Sequence, residues 1–297
     1  MNDVTTGWPL IGSREELAAR LTAVGYLPGE GLVAAAFLAL QMGRPLFLEG
    51  DPGVGKTDFA RKIAQALGAR AIRLQCHAGI DAAQALYDWN FPRQILTLRA
   101  GEGGERTTVP DLYREEFLQR RPILQALEGG PAVLVIDEID RADDEFEALL
   151  LEVLEEYTVG IPEIGEIRAE VTPLVILTSN RTREVHDALK RRCLYHWIDH
   201  PEPPEEVRIL RARVRKLPEA LAQQIAAGMK RLRTAKSVTK PPGVAESIDF
   251  AQALTADGAT ALSPGAVEAT ICTLVKHQDD RDEVRRLLLA AAPRNAG

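Results

Sequence analysis

Gly50-Asp-Pro-Gly-Val-Gly-Lys-Thr57 decides the fold of this chain. It is a full G-x-x-x-x-G-K-[ST] pattern, placed directly after the apolar run Pro45–Glu49. It opens a segment whose Phe59, Ile63 and Leu67 recur every four residues until Gly68 stops it. A strand, a glycine-rich turn and a helix start, in that order, make a phosphate cradle. The glycines let the main chain wrap a phosphate with its N–H groups, and the helix N-terminus adds a favourable dipole. Lys56 is placed to reach the β- and γ-phosphates, and the Thr57 hydroxyl to bind Mg2+. Gly50, Asp51, Pro52, Gly53, Val54, Gly55, Lys56, Thr57 and Asp58 are the candidate nucleotide-binding residues.

Three further segments extend this reading. Val133-Leu-Val-Ile-Asp-Glu138 is an apolar strand ending in two carboxylates. Asp137 at its tip can complete a Mg2+ site with Thr57, and Glu138 can polarise an attacking water. Leu174-Val-Ile-Leu-Thr-Ser-Asn180 is a second buried strand with a polar end, where Asn180 is placed to hold that water or touch the γ-phosphate. Ala188-Leu-Lys-Arg-Arg192 supplies cations that, at a subunit edge, can stabilise charge on a neighbour's phosphoryl group. Read without a family, that last cluster is a solvated basic patch before it is a catalytic one.

Working outward, Leu46–Leu48, Ala71–Leu74, Val133–Asp137, Leu174–Thr178 and Leu194–Ile198 are predicted strands. Several are continuously apolar, as strands buried on both faces of a parallel sheet are. Helical patterns lie between them; in Ala142–Tyr157 the residues Phe146, Leu149, Leu150, Val153, Leu154 and Tyr157 form one stripe. Alternating strands and helices predict a doubly wound α/β layer. The Pro-rich His200–Glu206 marks a boundary, so an α/β domain over 1–201 and a helical domain over 202–297 are expected. Ser263-Pro264 there is a helix start, and four or five helices are expected. Ala100–Pro110 is Gly-rich and polar and reads as an insertion tip.

The 297 residues, 45% hydrophobic and 27% charged, exclude a disordered chain or a fibre. A net charge of −7 argues against a basic nucleic-acid coat, although the helical part carries more basic than acidic residues. Cys76, Cys193 and Cys272 are too scattered for a disulfide framework. The longest apolar stretch, Gly31–Leu40, is half of what spans a bilayer, and no signal peptide is visible, so a cytoplasmic protein is expected. Cys193, His196 and His200 have a zinc-like spacing, but side chains alternate along a strand and residues 193 and 196 would face apart.

In order and spacing the four motifs resemble an AAA+ ATPase, and in detail the MoxR family. The likeness runs from about Glu16 to Arg285. The family's D-E-I-N-R-A stands here as Asp137-Glu-Ile-Asp-Arg-Ala142, with Asp140 in place of Asn. Tyr87-Asp-Trp-Asn-Phe-Pro-Arg93, Thr178–Arg183, Ala188–Asp199 and Lys240-Pro-Pro-Gly-Val-Ala-Glu-Ser247 resemble the CoxD-like branch, named for an accessory ATPase of carbon monoxide dehydrogenase maturation. The resemblance implies a P-loop NTPase fold with a five-stranded parallel sheet between helices and a small all-helical lid. It implies ATP and Mg2+, a hexameric ring with sites between subunits, and Asn180 as a sensor. It implies Arg192, or Arg191 as the nearer alternative, as a finger reaching the next subunit's ATP. Insertions near 95–118 and 159–170 are expected to face the pore or a partner, and a von Willebrand factor A-domain protein and a client metalloenzyme are the implied partners. One departure stands out: the family often has Ser-Pro-Arg at a lid helix, whereas Ser263-Pro264 is followed here by Gly265, leaving Lys240 as a substitute cation. Besides a ring ATPase working on a protein client, two readings remain open, a nucleic-acid-dependent ATPase and an ATP-gated scaffold with little turnover.

Overall fold

The computed structural model describes residues 7–8, 11–101 and 109–291. By internal contacts the chain divides into two units, Met1–Glu49 with Thr57–Trp197, and Gly50–Lys56 with Ile198–Gly297.

In the first unit the apolar runs become strands: β1 (Leu46–Glu49), β2 (Arg70–Gln75), β3 (Tyr87–Trp89), β4 (Leu118–Arg120), β5 (Ala132–Asp137), β6 (Thr158–Ile161), β7 (Gly165–Arg168), β8 (Leu174–Ser179) and β9 (Leu194–Trp197). Five of them form one sheet in the order β2-β5-β8-β1-β9, every pair parallel. These are the five strands expected from the sequence. The three central strands, β5, β8 and β1, are buried at every position, which is why they read as unbroken apolar runs. Edge strand β2 exposes Arg70, Ala71, Arg73 and Gln75. Register places Gln75 opposite Asp137 and Glu49 opposite Ser179, so the polar ends of β2, β5, β1 and β8 finish at one edge of the sheet. In an open parallel sheet, that carboxyl edge is where ligands bind.

The helices α1 (Arg14–Ala23) and α2 (Glu30–Met42) precede β1. Parallel neighbours require crossovers, and α3 (Lys56–Leu67), α4 (Ala82–Ala85), α5 (Phe91–Gly101), α6 (Pro122–Leu127), α7 (Asp144–Glu156) and α8 (Asp187–Arg192) lie in the connections between the strands of the sheet. The expected stripe forms α7. Asp143 caps it by accepting from Phe146 N at 3.0 Å, and Phe146, Leu150, Val153 and Leu154 are buried in the core with Ile136, Leu177 and Leu189. Each such side chain contributes roughly 1.5–3 kcal/mol. β3 pairs antiparallel with β4, and β6 with β7 in a hairpin over Thr158–Arg168. Most of the insertion tip expected at 100–110, residues 102–108, lies outside the described residues.

In the second unit, α9 (Pro203–Arg213), α10 (Glu219–Thr234), α11 (Val244–Ala256), α12 (Pro264–Thr270) and α13 (Arg281–Leu289) pack around Leu210, Leu221, Ile225, Met229, Phe250 and Leu288. Proline opens α9 and α12, and Ser263 caps the latter by accepting from Ala266 N. Among the described residues no helix is long and apolar enough to cross a membrane.

Candidate functional site

The phosphate loop belongs to the second unit up to Lys56. Gly53 (φ +81°) and Gly55 (φ +100°) take left-handed backbone angles that side chains resist, so these two positions need glycine. At Gly50 the demand is space, because a Cβ there would stand 2.4 Å from the Ile198 carbonyl oxygen. Lys56 is only 6% exposed, and its Nζ donates to the carbonyls of Gly50 (2.7 Å) and Asp51 (2.8 Å). The loop's own main chain therefore holds the ammonium group. Beside it His200 Nε2 lies 3.6 Å from Asp51 Oδ2, while its buried Nδ1 has no hydrogen-bond partner. Burial, followed by the nearby Arg233 guanidinium, pushes the His200 pKa down, which favours the neutral ring.

In the first unit the acidic end of β5 meets Thr57 at the start of α3. Asp137 Oδ1 accepts from the hydroxyls of Thr57 (2.8 Å) and Thr178 (2.5 Å). Thr178 Oγ1 in turn accepts from Glu138 N at 3.0 Å, tying β5 to β8. Two oxygen ligands side by side, a hydroxyl and a carboxylate, suit a hard cation, so the donor set fits Mg2+. Glu138 leaves the strand in a left-handed conformation (φ +56°), a strain of about 1–3 kcal/mol for a residue with a side chain. Its Oε2 accepts from Gln75 and Arg141, each at 3.0 Å. The acidic cluster acts on Cys76 too: burial, then the charge of Asp137, raises its pKa to about 12, which keeps the thiol protonated.

Asn180, half-buried, follows β8. Asp140 orders this turn, its carboxylate accepting from Asn180 N (3.2 Å), Thr182 N (2.8 Å) and Thr182 Oγ1 (2.6 Å). α8 carries Arg191, exposed, and Arg192, which pairs with Glu155 at 3.1 Å. Sequence reasoning missed several partners here. Arg73 donates to Asp137 Oδ2 through Nε (2.9 Å) and Nη2 (2.6 Å), and Gln75 holds Glu138. Both lie on an exposed edge strand, where polar residues look like ordinary solvent contacts. Register with the acidic strand is the signal that finds them. Lys240, the substitute cation considered above, is exposed. Among the described residues no group of three or more His, Cys, Asp and Glu side chains could hold a metal ion.

Residues 45–193, half of the chain, match the AAA domain (dynein-related subfamily). The chain belongs to this family. The AAA domain hydrolyses ATP and uses ATP with Mg2+. The chain is 28% identical over 203 residues to the gas vesicle ATPase GvpN of Haloferax mediterranei, covering 65% of this chain and 58% of that protein. It is 26% identical over 261 residues to the gas vesicle ATPase GvpN1 of Halobacterium salinarum, covering 84% and 72% respectively. It thus spans less than two thirds of the length of the Haloferax relative. A solved structure of a RuvB mutant from Thermotoga maritima is 18% identical, covers 88% of this chain and 69% of its own, and has a TM-score of 0.46.

Proposed function

We propose that this AAA domain drives a ring ATPase of the MoxR type that spends ATP on remodelling a protein client. The observation that carries the reading is the contact of Thr57, Asp137 and Thr178 with Glu138 next to them at the end of β5. In it, Lys56 and the main chain of Gly50–Asp58 bind the phosphates, and Thr57 and Asp137 hold Mg2+. Glu138 takes the proton of the attacking water, and Asn180 orients that water. Arg192, or Arg191, completes the site of the next subunit in a hexamer. The bound metal supplies charge neutralisation at the phosphates; every proton transfer belongs to Glu138.

The CoxD-like segments point to metalloenzyme maturation in the cytoplasm beside a von Willebrand factor A-domain protein, whereas the similar curated proteins are named gas vesicle ATPases. α5 supports a partner-facing insertion, since Phe91 (54% exposed), Ile95 and Leu96 (66%) leave an apolar surface in water. Glu138→Gln decides the enzymatic part: it is expected to bind ATP and turn it over about 10²–10⁴-fold more slowly than the wild type. Normal turnover would remove Glu138 from the mechanism. The same slow variant, used with ATP as bait for pull-down and mass spectrometry, tests the partners. Capture of an A-domain protein and a metalloenzyme supports maturation, capture of gas vesicle proteins supports the second client, and capture of nucleic-acid enzymes contradicts both.

A further inference from the structure

Within the second unit the start of α11 meets the phosphate loop main chain to main chain. Val244 N donates to the Gly53 carbonyl oxygen at 2.9 Å. A Cβ on Gly243 would stand 2.7 Å from Gly53 Cα and 2.9 Å from its carbonyl carbon and oxygen, and a Cβ on Gly53 would stand 2.9 Å from Gly243 Cα. Every one of those obstructing atoms is backbone. At Gly53 the positive φ would by itself demand glycine, but Gly243 has φ −80° and ψ −175°, angles open to any residue. The missing side chain at 243 therefore answers only the approach of the loop.

Buried polar bonds from two neighbouring helices hold this contact. Arg233 of α10, 8% exposed at its side chain, donates to both oxygens of the fully buried Glu206 of α9 at 2.8 Å each. Its Nε donates to the Pro242 carbonyl at 2.9 Å and its Nη2 to Ser247 Oγ at 3.0 Å. Glu246 Oε2 accepts from Gly243 N at 3.1 Å. A buried charge pair that also satisfies a turn carbonyl fixes that turn more firmly than either contact would alone.

We propose that Gly243 and Val244 form a main-chain clasp that positions the phosphate loop, so that the lid helices set ATP affinity through Gly53. Gly243 and Val244 are positioning residues. They act on the loop, and the role needs no arginine side chain from the Lys240–Ser247 segment. The proposal rests on the phosphate loop binding ATP, and its test separates the two.

Two substitutions in the full chain probe the clasp from opposite sides. Val244→Pro removes the N–H; proline is well tolerated at the first helical position, and the extended Gly243 suits a residue before proline. Gly243→Ser keeps a good helix cap and adds a Cβ where the loop stands. Binding of a fluorescent ATP analogue, steady-state turnover and thermal unfolding are measured for each. Both variants are expected to raise Kd and KM for ATP about tenfold, the equivalent of one hydrogen bond, with kcat at saturating ATP within about twofold of wild type. Unchanged Kd and KM in a folded variant, or a loss confined to kcat, would overturn the clasp. If neither variant folds, hydrogen exchange of the wild type decides: ATP must slow exchange of the Val244 amide, and equal exchange with and without ATP rejects the proposal. A wild type that neither binds nor hydrolyses ATP would sink the reading of the site itself.

Discussion

Asp140 stands where the MoxR motif has Asn, and its contacts show what either residue can do. It is 2% exposed and accepts from two main-chain N–H groups and one hydroxyl around Asn180. The two N–H donors reach different oxygens, so an amide oxygen in the place of Oδ1 keeps Asn180 N, and the Thr182 hydroxyl turns to accept from the amide nitrogen in the place of Oδ2, at the loss of the Thr182 N bond. Asp140→Asn is therefore expected to keep turnover close to wild type, with a loss of thermal stability smaller than that of Asp140→Ala. Asp140→Ala leaves donors unpaired and is expected to cost about 1–3 kcal/mol, with a fall in kcat as Asn180 loses its anchor. Melting temperatures and turnover of the pair check this; an alanine variant as active as the asparagine one would contradict it. His200 supplies a prediction in pH. Burial and Arg233 hold its pKa below the ordinary 6.5. The folded chain keeps the ring neutral where the unfolded chain protonates it, so the unfolded state binds more protons and stability falls as pH falls. The contribution is whole above 6.5 and declines from there down to the lowered folded value. Unfolding temperatures between pH about 7.5 and about 5 are expected to drop less steeply for His200→Gln than for wild type; equal slopes would argue against the shift.

Among the elements, those whose information is local were legible in the sequence. The glycine pattern Gly50–Thr57, the unbroken runs of β5 and β8 and the stripe of α7 each state their own structure, because burial on both faces or on one helical face leaves a periodic trace. What escaped were contacts made by register and by helix ends. Lys240–Ser247 was legible as a segment without an arginine, but the approach of Gly243 to Gly53 exists only once helix and loop come together. α8 shows the same limit. It has six residues, too few to hold its own direction, and Glu147 of α7, 1% exposed, fixes it by accepting from His186 N at 2.7 Å and from the Arg183 guanidinium. In sequence Glu147 is merely one acidic residue in an acidic first turn. Glu147→Ala leaves those donors unpaired and frees the start of the helix that carries Arg191 and Arg192. It is expected to lower stability by about 1–3 kcal/mol and to slow turnover without raising KM for ATP. A rise in KM alone would mean that α8 serves nucleotide binding instead.

For the whole molecule the decisive matter is whether each ATP is served by one subunit or two. Arg192 is held by Glu155 of its own chain at 3.1 Å, an exposed pair worth little. That pairing is weak enough to exchange for a phosphate on a neighbour, while Arg191 is exposed and its carbonyl accepts from Arg44. If the finger acts in trans, Lys56→Ala subunits lack a working phosphate loop but still offer an intact Arg192, and Arg192→Ala subunits have the reverse defect. Each variant alone is expected to be nearly inactive, the arginine change costing about 10³–10⁵-fold in kcat. Mixed in equal amounts and reassembled at random in a closed ring, about one interface in four joins an intact loop to an intact finger. Turnover should then recover to roughly a quarter of wild type, orders of magnitude above either parent. An enzyme whose arginine serves its own nucleotide gives no recovery, since no subunit in the mixture carries both groups. Repeating the mixture with Arg191→Ala assigns the finger: the arginine whose loss is rescued by Lys56→Ala subunits is the one that crosses the interface.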